Sequence, residues 1–352
     1  MLSLTSKNYV KVLWQDLRNF TRECFLRVGV PKEDAELIAD HLVLANLRGV
    51  DSHGVIRIPY YIEGIRKGYV KAAPQIKVVR ESPTTTLIDG DNGLGIPIAV
   101  KATITAIDKA KTMGLSAVAV RNLGHVGMLA YYTLQTCRER LIGLATANGP
   151  ALVAPWGGAE RVFGTNPISF GFPTKDMPIV VDMATSAIAH FKIVMATLTG
   201  KSIPEGVALT KDGRPTTDAN EAKDGILLPF GQYKGYAISL LVEILSAVIS
   251  GAPLSKHTTL HPSTQGGFFV MALNPTAFID YSEYLDNISK LVTIIKSCPP
   301  AQGFNEVLLP GERASRIQAE RTKNGIPIEI EVWKKLTDIS KELGVELPAV
   351  IE

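Results

Sequence analysis

Helical text at both ends of the chain brackets a centre in which short β-rich and helical runs alternate. This ordering is the strongest constraint on the fold. A helical layer must bury an apolar stripe against something, and the two ends are free to serve each other. They are therefore expected to pack together as one discontinuous unit. Near the start, Pro31 suits the first turn of a helix, where its missing N–H costs nothing. Ile38, Leu42 and Ala45 then fall at i, i+4 and i+7 on one face, and Gly49 closes the helix. A second helical stretch runs from about Val55 to Arg66 and ends at Gly68.

From Ile76 the texture changes. TTTLID, IAVKATITAIDKAKTM, LSAVAV, the segment after His125, LIGLATA, ISFGFP and IVVDMA follow one another as strand-like and helical runs. An amphipathic helix is expected over Lys234 to Ser250, then the strand-like GGFFVMALN. Helical text returns from Tyr281 to Ser297 and from Ala314 to the end. The expected class is α/β, with residues 76–280 as the α/β domain and residues 1–75 with 281–352 as a discontinuous helical domain.

Composition narrows the function classes. A chain of 352 residues that is 46% hydrophobic and 20% charged can bury a large core without disulfide or metal staples. Its formal net charge of +3 is too small for a nucleic-acid-binding arm. No stretch reaches the ~18 uninterrupted apolar residues of a membrane helix. The longest apolar segment, Tyr236 to Gly251, is broken by Ser239, Glu243, Ser246 and Ser250. The N-terminus, MLSLTSKNYVKVLW, has no apolar run of signal-peptide length. Cys24, Cys137 and Cys298 are few, odd in number and far apart, and they read as buried free thiols. Cytoplasm is the expected location.

Several motifs fail. Gly90, Gly93 and Gly95 lack the spacing of the dinucleotide fingerprint and are followed by Pro97, so an ordinary Rossmann site is not supported. Gly200-Lys201-Ser202 mimics the end of a phosphate loop, but Met195 stands where the required glycine would be. Ser116 has Val118 in place of the second glycine of a nucleophile elbow. His257 and His261, beside Pro262 and several threonines, read as a polar loop, and no metal site is expected.

Others survive. Of six histidines, His53 in DSHG and His125 in NLGHVG sit in glycine-flanked loops. An imidazole there is open to substrate and titrates near neutral pH, as acid/base work requires. Arg57 and Tyr61 lie four and eight residues beyond His53, so on a helix starting at Ser52 or His53 the three share a face. Arg captures a carboxylate through two parallel bonds, and Tyr adds one more. The set reads as a receptor for a small carboxylate bearing a reactive hydroxyl or carbonyl. Ser52 and His53, as sequence neighbours, are expected to point apart, which disfavours a serine-hydrolase dyad.

Ile179 to Asp182 reads as a buried strand ending in an acid. Met183, Ala184, Thr185 and Ser186 read as the opening of a helix, with hydroxyls and free amides suited to an anion. Asp182 itself suits ribose hydroxyls or a carboxamide. Gly231 to Gly235 delivers Lys234 to the start of the long helix, where a phosphate or diphosphate is its natural partner. Pro310 to Arg313 is a tight turn with paired charges. The plain alternatives are backbone-bonded loop histidines, an ordinary helix cap and a solvated lysine.

Taken together, LRGVDSHGVIRIPYY, NLGHVGMLAYY, PWGGAERVFGTNPISF, VVDMATS, FGQYKGYAISLLVEILSAVISGAP and LLPGERASR resemble the non-Rossmann malate/L-lactate dehydrogenase family. That family also holds sulfolactate, ureidoglycolate and diketogulonate oxidoreductases. The resemblance runs in order from about residue 15 to 330. It implies hydride transfer between a 2-hydroxy acid and its 2-oxo acid with NAD or NADP. The implied fold is a non-Rossmann mixed-sheet cofactor domain plus a discontinuous helical domain from both chain ends. A homodimer, or a dimer of dimers, with the active site near the subunit boundary is also implied.

Carried over by position, His125 matches the acid/base histidine and His53 the histidine of the SHG motif. The resemblance makes His125 the base, and His53 a ligand of the substrate oxygen or nicotinamide region, with the proton role as its fallback. Arg57 would clamp the carboxylate, and Ser52 and Tyr61 would line the pocket. Asp182, Met183, Ala184, Lys234 and Gly235 match cofactor-contacting positions. Gly164 to Pro167 and Gly311, Glu312 and Arg313 fall in cofactor and pocket loops. Two departures stand out: Gly149 where Ser or Thr is common, and His190 and Phe191 where Arg and Gly are common. Malate/oxaloacetate is the first substrate implied, then sulfolactate, then ureidoglycolate, lactate and diketogulonate. A nucleotide-binding protein without catalysis is the alternative of another class, and the choice between NAD and NADP stays open.

Overall fold

The computed structural model describes residues 9–351. The first eight residues, on which part of the N-terminal reading rests, lie outside the described residues. The central feature is a seven-stranded mixed sheet. Across it the strands run in the order Lys77–Glu81, Thr85–Gly93, Leu115–Leu123, Phe268–Leu273, Ile142–Ala147, Ile168–Phe172 and Ile179–Met183. Thr85–Gly93 and Leu115–Leu123 are parallel, and the other neighbours are antiparallel.

The parallel pair is joined by the helix Gly95–Met113. Ile98, Ala102, Ala106 and Ala110 recur every four residues on that helix, and all are fully buried. The three alanines let the helix lie close on Val118 and Val120 of the neighbouring strand. The helix Ala130–Arg138 packs likewise, with the Tyr132 ring edge-on to Phe268 at 5.1 Å between centroids.

A second core joins residues far apart in sequence. Leu17, Phe25, Ile38, Leu42, Ile58 and Ile62 from the first part of the chain share it with Ile326, Ile328, Leu336 and Ile339 from the last. Tyr9–Val12 and Ile326–Glu329 pair antiparallel, from Tyr9 opposite Glu329 to Val12 opposite Ile326. The tail is therefore not continuous helix. It is the helix Glu312–Asn324, a strand, and the helix Ile330–Leu343. Gly325 turns the chain at φ +85, and the buried alternation of Ile326 and Ile328 has the strand period of two. The helix Tyr281–Lys296 packs elsewhere: Tyr284 Oη donates to Pro173 O at 3.1 Å, and Lys175 pairs with Asp286 at 2.6 Å.

The Lys234–Ser250 helix also differs from expectation. It is α-helical over Tyr233–Glu243 and then passes into a π turn, Ile244–Val248, in which the Ile249 amide reaches Ile244 O at 3.1 Å. The interior serines explain this. Ser250 Oγ donates to Ser246 O at 2.5 Å, so a side chain competes for the helix backbone, and Ser246 Oγ bonds Thr146 Oγ1 at 2.8 Å, which ties this turn to the sheet. Cys24 and Cys137 are buried, whereas Cys298 is exposed, so three buried thiols is not the arrangement. Among the described residues no helix is long and apolar enough to cross a membrane, and no acidic, histidine or cysteine cluster could hold a metal.

Candidate active site

No single helix carries His53, Arg57 and Tyr61. Asp51–His53 and Val55–Arg57 are separate 3₁₀ turns, and the α-helix starts at Ile58. Gly54 breaks the run because it must be extended and bare. Asn46 sits 2.1 Å from where a Cβ on Gly54 would be, and its Oδ1 accepts the Val55 amide at 2.8 Å. The tight turn also brings neighbours together, contrary to the expectation that they point apart. Ser52 Oγ lies 2.9 Å from His53 Nδ1. Arg57 Nε donates back to Ser52 O at 2.7 Å, which leaves its outer nitrogens for a ligand. Asp51, at the head of the turn, is held by Asn46 Nδ2 at 2.7 Å and by both outer nitrogens of Arg321 at 2.7 and 3.1 Å.

His125 reaches the same place from the sheet. It follows the strand Leu115–Leu123, and its ring stacks on His53 with centroids 5.5 Å apart. Tyr61, 2% exposed, places its hydroxyl 2.7 Å from His125 Nδ1. The His125 loop is pinned from below by His41, whose Nε2 accepts the Met128 amide at 2.9 Å. Between them Gly127 adopts φ +71, and a Cβ there would lie 2.1 Å from His41 Nε2, so only glycine fits.

Half-open to solvent but walled by protein, the pair is kept uncharged. Burial pulls His53 down to about 3, with Arg57 adding to the effect, and pulls His125 well below its usual 6.5 for the same reasons. Fully buried His41 is held at about 3 by burial. Burial raises the Tyr61 phenol, so it keeps its proton. The Gly127 amide, 3.2 Å from His125 Nδ1, can only donate and favours a lone pair there. The Tyr61 hydroxyl accepts either tautomer.

The expected cofactor positions gather around one strand end. Asp182 and Met183 close the strand Ile179–Met183 and are exposed, and Ala184 follows them. The turn before Arg313 bonds to this strand, Val180 N to Pro310 O at 3.1 Å. The turn before Lys234 bonds just beyond it, Phe230 N to Thr185 O at 3.0 Å. Lys234 and Arg313 are exposed, and Gly235 is buried. Asp182 Oδ2 accepts the Ala130 amide at 2.9 Å, tying this strand end to the helix that follows the His125 loop. The residue keeps solvent contact at the strand end, but the protein crowded around its carboxyl pushes it up to about 6, against the pull of the Ala130 amide and Arg48. Glu312 is engaged within the protein: its carboxylate accepts the Leu309 amide at 2.9 Å and pairs with Lys296 at 3.0 Å. Gly311 brings the turn against Val180.

Thr185 and Ser186 do not open a helix. Thr185 Oγ1 donates to Thr165 O at 3.0 Å and Ser186 Oγ to Ile188 O at 2.9 Å, and the helix begins at His190. Backbone bonds of Thr185, Ala187 and Phe230 hold the segment extended, so the expected amide cradle is absent there. Asn166 of the GTNP stretch is fully buried, and its Nδ2 donates to Glu243 Oε2 at 2.8 Å. Glu243 also accepts the Ser255 amide at 2.6 Å and lies 3.4 Å from Asn148 Nδ2, tying three loops together.

His41, Arg48, Glu243 and Arg321 escape the sequence reading. Each acts through a partner distant in sequence, which periodicity cannot show. A histidine and an arginine seven residues apart on one helix, just upstream of DSHG, were the available signal.

A mixed-sheet α/β fold thus brings two histidines held neutral by burial together with a tyrosine and an arginine whose outer nitrogens bond no protein group among the described residues. Comparison with known proteins makes this specific: residues 12–337 match the family model described as malate/L-lactate dehydrogenase. The chain belongs to the malate/L-lactate dehydrogenase family and is a dehydrogenase acting on 2-hydroxy acids.

The malate dehydrogenase of Pyrococcus horikoshii is 41% identical over 350 residues, covering 97% of each chain. Its solved structure superposes with a TM-score of 0.90 at 38% identity, covering 98% of each chain. The L-sulfolactate dehydrogenase of Methanocaldococcus jannaschii is 41% identical over 331 residues, 93% of this chain and 95% of that protein. The ureidoglycolate dehydrogenase (NAD(+)) of Escherichia coli O157:H7 is 31% identical over 333 residues, 93% of this chain and 95% of that protein.

Proposed function

We propose that this enzyme interconverts malate and oxaloacetate with NAD or NADP. The observation that carries the reading is the convergence of His53, His125, Tyr61 and Arg57 from two distant segments onto one half-open face. The outer nitrogens of Arg57 hold the carboxylate next to C2. His125 takes the C2 hydroxyl proton at Nε2, with Nδ1–H facing the Tyr61 oxygen. This tautomer gives up the long Gly127 contact, on the order of 1 kcal/mol. His53 bonds the substrate oxygen, its Nδ1 steadied by Ser52. A nicotinamide cofactor, when bound, supplies the hydride acceptor or donor. The chemistry around the Asp182 strand end fits such a group: one carboxyl, two exposed cations (Lys234 and Arg313) and turns tethered to one strand.

Sulfolactate/sulfopyruvate is the second reading, because relatives with the two activities are equally similar at 41% identity. Initial rates with NADH and NADPH against oxaloacetate, sulfopyruvate, pyruvate and oxoglutarate decide between them. Oxaloacetate is expected to give the highest kcat/KM, and a flat response to all four removes the reading.

We also propose a homodimer. Leu241, Ile244 and Val248 fall at i, i+3 and i+7 and are 47%, 42% and 57% exposed, an apolar stripe that water disfavours. Light scattering after chromatography is expected to give twice the chain mass for the wild type and a monomer for Leu241→Arg/Val248→Arg. A monomeric wild type excludes it. Buried Cys24 and Cys137, unpaired in the fold, support a reducing, cytoplasmic location, which cell fractionation checks.

A further inference from the structure

Arg48 is a buried cation that the chemistry above leaves without a task. It caps the helix Lys32–Leu47, which also carries His41, and stands four residues before Ser52. Its side chain is largely enclosed, with the residue 6% exposed. Among the described residues it makes one hydrogen bond, from Nη1 to the neutral amide oxygen of Gln318 at 3.1 Å. A guanidinium has five N–H donors, so most of them meet no protein acceptor. Enclosing a cation without a close counter-charge is unfavourable.

Its surroundings say which charge is missing. The Asp182 carboxylate favours the Arg48 cation, and Arg48 in turn favours the Asp182 anion. Yet Asp182 directs Oδ2 to the Ala130 amide, and no ion pair joins the two among the described residues. Gln318 lies on the helix Glu312–Asn324, which starts from the Gly311 turn and holds the His53 turn through Arg321. Arg48 thus stands between the His53 turn and the Asp182 strand end. Its donors suit a planar or tetrahedral oxyanion.

We infer that Arg48 is an anion-binding residue of this site, second to Arg57, and takes an oxyacid group that Arg57 does not hold. That group belongs either to a dianionic substrate, as its distal carboxylate or sulfonate, or to the cofactor, as a phosphate. The substrate arm rests on the reading given under Proposed function, and the cofactor arm does not.

The test uses the full-length protein as Arg48→Met, Arg48→Lys and Gln318→Met. Two quantities are read: the ratio of kcat/KM for oxaloacetate over pyruvate, and the Kd of NADH and NADPH by fluorescence titration without turnover. Arg48→Met is expected to lower the ratio tenfold or more if the group is the substrate's, or to raise the Kd tenfold or more if it is the cofactor's. Arg48→Lys, which keeps the charge but not the fork, is expected to fall between, and it replaces the Met variant if that one does not fold. Gln318→Met removes the tether alone and is expected to leave both quantities within twofold. The proposal is overturned if the Arg48 variants leave both within twofold, or if Gln318→Met reproduces their loss. A wild type inactive on every 2-oxo acid removes the substrate reading but still lets the titration decide Arg48.

Discussion

Replacing His125 with alanine is expected to lower kcat/KM about 100- to 10,000-fold, the usual range for a positioned acid/base group. Tyr61 Oη lies 2.7 Å from Nδ1, and His41 fixes the loop through the Met128 amide at 2.9 Å, so the ring can turn only its Nε2 edge to substrate. Tyr61→Phe removes the acceptor that steadies Nδ1–H and is expected to show a smaller loss of the same kind. The pH profile separates the base from a group that merely packs. Burial and the Arg57 charge hold His125 well below its ordinary 6.5. Oxidation needs the neutral ring, so kcat/KM for the hydroxy acid is expected to be flat above pH ~6.5 and to fall only in acid. Reduction needs the protonated ring, so its kcat/KM is expected to fall about tenfold per pH unit over the same range. If His125→Ala keeps near-normal turnover while His53→Ala abolishes it, the proton role belongs to His53.

Arg57→Met is expected to raise KM for the 2-oxo acid about 100-fold or more, because removing one member of an enclosed charge pair costs about 2–5 kcal/mol. The effect should fall on KM more than on kcat, as expected for a contact made in both ground and transition states. Arg57→Lys is not expected to rescue it: Nε holds Ser52 O at 2.7 Å while the outer nitrogens serve the ligand, and a lysine cannot do both. Retained melting temperature with lost affinity identifies substrate binding. Equal losses in stability and affinity would instead make Arg57 a brace for the turn.

Much of the fold was legible. The spacing of Ile38, Leu42 and Ala45 marked their helix, and all three are fully buried. The β-rich runs became sheet strands wherever a strand period or an apolar run stood between turn residues. The errors share one cause. The strand Ile326–Glu329 forms because Tyr9–Val12 is there to pair with it, and the π turn forms where Ser250 Oγ takes up the Ser246 carbonyl while Ser246 Oγ is bonded to Thr146 on the sheet. The Thr185–Ala187 segment is held extended by bonds of Thr185 and Ala187 to residues about 20 to 45 positions away. Such partners leave no local pattern.

At the site the division is the same. The residue types were readable by themselves: two glycine-flanked histidines, an arginine and a tyrosine, which is chemistry enough for a small carboxylate with an oxidisable centre. Their helical spacing was the wrong reason for their meeting. Gly54 interrupts the helix because Asn46 fills the space beside it, and the set converges through Tyr61, His125 and the ring stack instead. The sequence by itself determined which groups exist and which local turns they can make, since those depend on neighbours along the chain. Only the tertiary structure decided which of them meet, which histidines stay neutral and which cation is left uncompensated. Burial and charge are properties of surroundings, and these surroundings come from segments up to about 270 residues apart.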